Sequence, residues 1–147
     1  MNVTLEPVTI DNFEALMDMQ LPPEQARFLD SNAYSIAQAQ YYPDWHPRAI
    51  YCDGSPAGFA LYDESGDGEL GHYAIYRLMV DHSRQHQGIG RRAMALLLAE
   101  IRGKADARRI TICYKPDNAT ARAFYASLGF IETESNELGE VVAEIAL

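Results

Sequence analysis

Apolar residues recur along this chain in two rhythms, one of strand period and one of helical period, and the breaks between them mark its elements. Val3 to Val8 reads as a first strand. Thr9 is placed to cap a short helix in which Phe13, Leu16 and Met17 share a face. Pro22-Pro23 breaks that helix, and a second helical stretch carries Ala26, Phe28 and Leu29 up to Ser31-Asn32. Ser35 is placed to cap a third turn, Ile36 to Tyr42, after which Pro43 and Pro47 impose a loop. Arg48 to Cys52 and Ala57 to Tyr62 are strand-like runs around Asp53-Gly54, a hairpin signal between such runs. Asp63 to Gly71 is acidic and glycine-rich and is expected to be a flexible loop, and Ala74 to Val80 is a further strand.

The helical rhythm then takes over. Ile89, Ala93, Leu96, Leu97 and Ile101 fall on one helical face, and Gly103 ends it. Arg109 to Tyr114 is another strand. Pro116-Asp117-Asn118 opens a helix in which Ala121, Phe124, Tyr125 and Leu128 share a face, and Gly129 closes it. Phe130 to Glu134 and Val141 to Leu147 form an expected hairpin around Leu138-Gly139. The element order is β-α-α-β-β-β-α-β-α-β-β, a mixed α/β fold. The strand–helix–strand unit from Ala74 to Tyr114 is expected to be parallel, and the hairpins on either side antiparallel. With no repeat and no linker in view, residues 1–147 read as a single domain.

Composition narrows the classes. The chain has 147 residues, 48% hydrophobic and 22% charged, an ordinary globular profile. No apolar run approaches the ~18 residues of a membrane span, and no secretory pattern opens the chain, so a cytoplasmic protein is expected. A formal net charge of −9 disfavours nucleic acid and anionic membrane as partners. It fits a cationic ligand, and solubility explains it nearly as well. Cys52 and Cys113 lie in different strand-like runs without metal or redox spacing, and are expected to be buried, reduced thiols. His46, His72, His82 and His86 show no metal spacing either, so no metal is expected.

One stretch stands apart in this acidic chain: Arg84-Gln85-His86-Gln87-Gly88-Ile89-Gly90-Arg91-Arg92, between a strand and a helix. Glycines let a ligand approach the backbone closely, and the first N–H groups of a helix lack partners within it and carry the positive end of its dipole. Together these make a phosphate site, with Arg84, Arg91 and Arg92 adding positive charge. A nucleotide triphosphate loop is excluded, because Gly90 is followed by Arg91-Arg92 instead of Lys and a hydroxyl. Gly88-Ile89-Gly90-Arg91-Arg92-Ala93 fits a dinucleotide fingerprint, but seven residues separate Val80 from Gly88. The next strand also ends without an acid to hold a ribose. The remaining reading is Gln-x-x-Gly-x-Gly, a pyrophosphate cradle of backbone N–H groups.

Gln85-x-x-Gly88-x-Gly90 resembles the acetyl-coenzyme A signature of the GCN5-related N-acetyltransferases (GNAT). Asn118-x-x-Ala121-x-x-Phe124-Tyr125-x-x-x-Gly129-Phe130 resembles that family's second cofactor helix, and the element order agrees along the chain. Arg77 to Asp81, Gly129-Phe130, Gly139 to Val142, Gln25-x-x-Phe28-Leu29 and Ser35-Ile36-Ala37-x-Ala39 are similar to the bacterial spermine/spermidine acetyltransferase branch. The resemblance implies a mixed, mostly antiparallel sheet of about seven strands. It also implies direct transfer of an acetyl group from acetyl-CoA to a primary amine, with a polyamine such as spermidine or spermine as acceptor. Rival readings are a GNAT acting on another amine, either a drug-like small molecule or a protein N-terminus or lysine, and a coenzyme A-binding regulatory module without turnover.

By the same resemblance, Gln85, His86, Gln87, Gly88, Ile89, Gly90 and Arg91 hold the pyrophosphate, and Leu78, Met79 and Val80 offer backbone groups to pantetheine. One N–H of that strand can stabilise the oxyanion formed as the amine attacks the thioester. Asn118 and Tyr125 are two helical turns apart and share a face. The resemblance implies that Asn118 bonds the pantetheine arm and that the Tyr125 hydroxyl protonates the departing thiolate. On residues alone, Tyr125 reads as a core aromatic and Asn118 as a cap, and the alternation of Leu78 to Val80 does not separate core from cofactor roles. Arg77 inside an apolar strand either faces the acceptor or forms a structural ion pair. An acceptor amine of pKa near ~10.4 is neutral in only about one molecule in a thousand at neutral pH, so something must take its proton. Glu69, His72, Tyr73 and Asp81 lie near the predicted cleft, and none is singled out as that base. Glu24, Asp30, Asp63, Glu64 and Asp67 are candidates for a polyamine's distal charges, or a solvated acidic surface. Trp45 either walls the acceptor site or covers the core. The oligomeric state is open, a homodimer included.

Overall fold

The computed structural model describes residues 1–147. Seven strands form one sheet: β1 (Val3–Pro7), β2 (Trp45–Cys52), β3 (Ser55–Asp63), β4 (His72–Val80), β5 (Arg109–Tyr114), β6 (Ile131–Ser135) and β7 (Val141–Ala146). Their order is β1-β2-β3-β4-β5-β7-β6, and only β4 and β5 run parallel, as the crossover through the long helix requires. Asp53 and Gly54 both have positive φ, the backbone of a type I′ turn, which joins β2 to β3 as the Asp-Gly pair predicts. Pro47 lies within β2 rather than in a loop. β1 ends opposite Arg48, so the missing Pro47 N–H costs no ladder bond on that side.

Helices cover both faces. On one, α1 (Phe13–Met17) and α3 (Asn32–Ala39) bury Leu16, Ile36 and Ala39 against Ala49, Phe59, Leu61 and Met79. Between them runs the short α2 (Pro23–Ala26). On the other face, α4 (Ile89–Arg102) and α5 (Ala119–Ser127) pack on the larger core. The start signals expected for the first helices are displaced. Asn12, not Thr9, precedes α1, and its amide group ties Pro7 to Tyr51. Ser31, not Ser35, caps α3 by accepting from the Tyr34 N–H at 3.1 Å. Ser35 is instead buried in mid-helix and accepts from Arg77 Nε. The α4 face is rotated from its expected position: Met94 and Leu98 are buried with Ile89, Ala93, Leu97 and Ile101, while Leu96 is 38% exposed. Its 14 residues bury two adjoining rows under the sheet, a wider stripe than the spacing alone marks.

The acidic loop after β3 is tied down rather than loose. Asp63 is buried and accepts from the Ser65 N–H at 2.9 Å and the Tyr76 hydroxyl at 2.8 Å. Glu69 pairs with Arg109 at 2.6 Å. Cys52 is buried as expected, but Cys113 is exposed on β5, facing a cavity described below. No helix is long and apolar enough to cross a membrane.

Candidate active site

The site begins with a flaw in the sheet. β4 pairs with β5 only from His72 to Ile75. Against β3 on its other side, Leu61 faces Arg77 but Tyr62 faces Ile75, so Tyr76 is a surplus residue, a β-bulge. A bulge bends its strand and sharpens the local twist. Beyond it, Arg77 to Val80 diverge from β5, and their backbone groups on that side have no strand partner. On the opposite side Gly58 keeps β3 close, since a Cβ there would lie 2.3 Å from the Met79 carbonyl.

At the open end of β4 the chain turns into the glycine loop. His86 and Gly88 both have left-handed φ, and Gly88 precedes α4 without any side-chain cap. As a result no backbone N–H from Gln85 to Arg91 has an acceptor within the chain. Such a run of free donors at the positive tip of a 14-residue helix is built for a phosphate group. It opens on a cavity of about 760 Å³ between β4, α4 and α5. Leu78, Met79, Val80, Gln85, His86, Gly88, Ile89, Gly90, Arg91, Asn118 and Tyr125 all line it. Gln87 does not line it, and its exposed side chain leaves only its backbone to the loop. Of the three loop arginines, Arg84 and Arg91 line the cavity. Arg92 turns away to the Met1 carbonyl at 2.8 Å. The Gln85 side chain is a tie rather than a free hand: it donates to the Val80 carbonyl at 3.1 Å and to Gln25 at 3.2 Å.

Asn118 is both cap and wall. Its Oδ1 accepts from the Ala121 N–H at 3.1 Å, which leaves its amide donors toward the cavity. Tyr125 lies where the large cavity meets a second one of about 230 Å³. Tyr114 stacks on its ring at 5.8 Å, and Phe124 and Phe130 meet it edge-on. Burial, then the neighbouring Tyr114, pushes its phenol well above the usual value, so the hydroxyl stays protonated. Leu78, Ala121 and Asn118 also line both cavities and mark the junction.

The second cavity settles several open placements. Arg77 does both things expected as alternatives: its guanidinium reaches Asp30 at 2.6 Å, Ser35 at 3.1 Å and the Tyr76 carbonyl at 2.9 Å, and it lines the smaller cavity. Trp45 covers the core, stacked on Tyr42 at 4.4 Å and against Tyr76 at 4.9 Å, and lines neither cavity. Glu69, His72, Tyr73 and Asp81 line neither cavity, so none is placed to receive the acceptor's proton directly. Of the acids considered for distal charges, Glu24 lines the large cavity and Asp30 the small one, whereas Asp63, Glu64 and Asp67 line neither. In the segment around α2, where the branch resemblance marks Gln25, Phe28 and Leu29 and no role is expected of Arg27, the structure places Arg27, Phe28 and Leu29 on both cavities. Arg27 reaches across to Asp117 at 3.2 Å, and Lys115 donates to the Arg27 carbonyl at 3.2 Å. Glu140, part of the Gly139 to Val142 stretch of the branch resemblance but given no role there, is carried to the smaller cavity by the β6–β7 turn. Cys113 is exposed along the wall of this cavity, and partial desolvation there, then the Glu140 charge, pushes its thiol up to about 11, so it is no ready nucleophile.

A split mixed sheet with free backbone donors at a helix tip beside its open end suits an enzyme that takes a phosphate-bearing ligand. The chain belongs to the acetyltransferase (GNAT) family, whose model matches residues 13–130. It is an acetyl-CoA-dependent N-acetyltransferase. It is similar to the spermine/spermidine N(1)-acetyltransferase of Bacillus subtilis (strain 168), 24% identical over 134 residues that cover 88% of each protein. Its fold matches an aminoglycoside acetyltransferase solved with coenzyme A, with a TM-score of 0.80, 17% identity and coverage of 99% and 95%. It also matches the ribosomal-protein-S18-alanine N-acetyltransferase of Escherichia coli, with a TM-score of 0.74, 20% identity and coverage of 99% and 94%. The latter two carry the fold alone, and their acceptors differ widely.

Proposed function

We propose that this enzyme acetylates a primary amine of a small polyamine such as spermidine or spermine. The observation that carries the cofactor half is the run of unpartnered N–H groups from Gln85 to Arg91, opening on a cavity that ends at Tyr125. These donors hold the pyrophosphate, with Arg84 and Arg91 beside it. Pantetheine runs along the unpaired edge of Leu78 to Val80, with the Asn118 amide across from it, and brings the thioester to the junction. A free N–H of that edge stabilises the oxygen as negative charge builds on it. The neutral amine forms the new C–N bond, the C–S bond breaks, and the amine's extra proton leaves to solvent.

Tyr125 then meets the departing thiolate. An ordinary phenol has a pKa of ~10 and a thiol ~8.5, so full proton transfer is uphill by about 2 kcal/mol. Burial raises the phenol further, which makes transfer harder. Tyr125 therefore acts as a hydrogen-bond donor to the thiolate, which takes its proton finally from water.

The polyamine acceptor is supported by the name of the Bacillus relative and its even coverage. A second reading, another small amine, is favoured by the charges of the smaller cavity. Arg27, Arg77 and Lys115 line it with Asp30 and Glu140, so it is not the acidic channel a polycation suggests. Steady-state release of free thiol from acetyl-CoA, with spermidine, spermine, a simple monoamine, an aminoglycoside and a peptide N-terminus, separates these readings. The expected result is fastest release with the polyamines. Preference for another member of the panel overturns the polyamine assignment. Binding of acetyl-CoA by calorimetry without release for any amine reduces the protein to a regulatory module.

A further inference from the structure

The acceptor reading leaves one acidic side chain of the smaller cavity without a cationic partner. Arg77 neutralises Asp30 at 2.6 Å. Arg27 pairs with Asp117, which lines the larger cavity. Lys115, at the exposed rim, gives its ammonium to the Arg27 carbonyl. The Glu140 carboxylate accepts only from the Asn136 amide, at 3.1 Å. Its position is fixed as well. The Glu140 N–H donates to Asn136 Oδ1 at 2.9 Å, and its carbonyl accepts from the Asn136 N–H at 2.9 Å, so the β6–β7 turn holds it from three sides.

Its place relative to the junction matters most. Leu78, Asn118, Ala121 and Tyr125 line both cavities, whereas Glu140 lines only the smaller one. A thioester delivered through the larger cavity meets the attacking nitrogen at the junction. The rest of the acceptor then extends away from it, toward Glu140. A half-buried carboxylate without a counter-ion interacts more strongly with a cation than one in open water.

We infer that Glu140 is the acceptor-specificity residue of this enzyme, holding a second positive charge on the amine while the first nitrogen reacts at the junction. The inference rests on the proposed acceptor cavity. It selects acceptors with two cationic nitrogens over monoamines of equal length.

The test compares putrescine with n-butylamine, which share a carbon chain and differ by one cation. Losing a charged hydrogen bond costs about 1.5–3 kcal/mol, so the wild-type kcat/KM is expected to favour putrescine by at least about tenfold. Glu140→Gln keeps the side-chain shape and the bond to Asn136 and removes the charge. In that variant the ratio is expected to collapse toward one, through the KM for putrescine, with the KM for acetyl-CoA changed less than about twofold. Glu140→Asp is expected to restore part of the preference, and thermal melts confirm that both variants are folded. A putrescine preference that survives Glu140→Gln overturns the assignment of Glu140 and leaves the polyamine reading standing. Equal losses for both amines assign Glu140 a structural role and overturn it too. A wild-type enzyme that does not prefer the diamine, or that acetylates neither amine, overturns this inference, while the polyamine reading stands or falls separately on spermidine and spermine turnover.

Discussion

Tyr125 is almost enclosed by aromatic rings, yet its hydroxyl has no hydrogen-bond partner in its own chain. The ring is buried but the hydroxyl opens on the cavity, so its partner is expected to be the substrate. Tyr125→Phe should therefore leave folding intact and lower kcat on the order of a hundredfold, with the KM for acetyl-CoA changed less than about twofold. Steady-state kinetics beside a thermal melt decide this: a large rise in KM reassigns the hydroxyl to binding, and a large fall in Tm to the core. At this scale the sequence was partly legible. Asn118 and Tyr125 could be put on one face because helical spacing is local, and the glycines because their conformational freedom is. Gln87 was placed by its motif, yet in the structure its side chain points to solvent. Arg27 was invisible, and Glu140 only a member of a resemblance motif without a role, since a short helix and a hairpin turn bring them to the cavity through contacts distant in sequence.

Among the elements, the two loop glycines differ in what they tolerate. Gly88 holds φ +84, and any other residue there is strained by about 1–2 kcal/mol. Gly90 is helical, and a Cβ on it meets only the Val80 side chain at an ordinary 3.7 Å. Gly88→Ala should therefore lower Tm by a few degrees and weaken acetyl-CoA together. Gly90→Ala should leave Tm unchanged or raised, worth up to about 1 kcal/mol of helix propensity, while its methyl group at the cavity lip weakens acetyl-CoA at least tenfold. Paired melts and calorimetric titrations check the opposite signs; a Gly90→Ala protein that binds acetyl-CoA normally removes this lip from the cofactor site. Strand and helix order followed from period. The cap of α3, the strand reached by Pro47 and the rotated face of α4 did not, because each is decided by what packs against it. Ser31 could have been found from its place before Asn32; Ser35 was the stronger-looking cap only until Arg77 reached it.

Taken whole, the molecule keeps a neutral imidazole at the root of its parallel strand pair. His72 is 4% exposed, with Nε2 2.7 Å from Thr111 Oγ1. Burial, then the facing Arg109, lowers its pKa below the usual 6.5, although Glu69 and Asp67 pull the other way. The unfolded chain therefore binds the proton more readily than the folded one. The stability contribution is complete above about pH 6.5 and is lost as pH falls from there toward the lower folded-state value. Thermal melts at pH 7.5 and 5.5 should show a larger loss in the wild type than in His72→Gln; equal losses remove His72 from the acid response. The net charge of −9 and the basic stretch that stands against it were both legible in the sequence, whereas the turning of Arg92 away from the cavity was not. One surplus residue shapes that geography. Remove Tyr76 and the register of β4 against β3 runs on unbroken, freeing Arg77 and Leu78 to close like a zip onto Cys113 and Tyr114. The shortened protein would gain rungs of ladder and lose the room in which its two substrates meet.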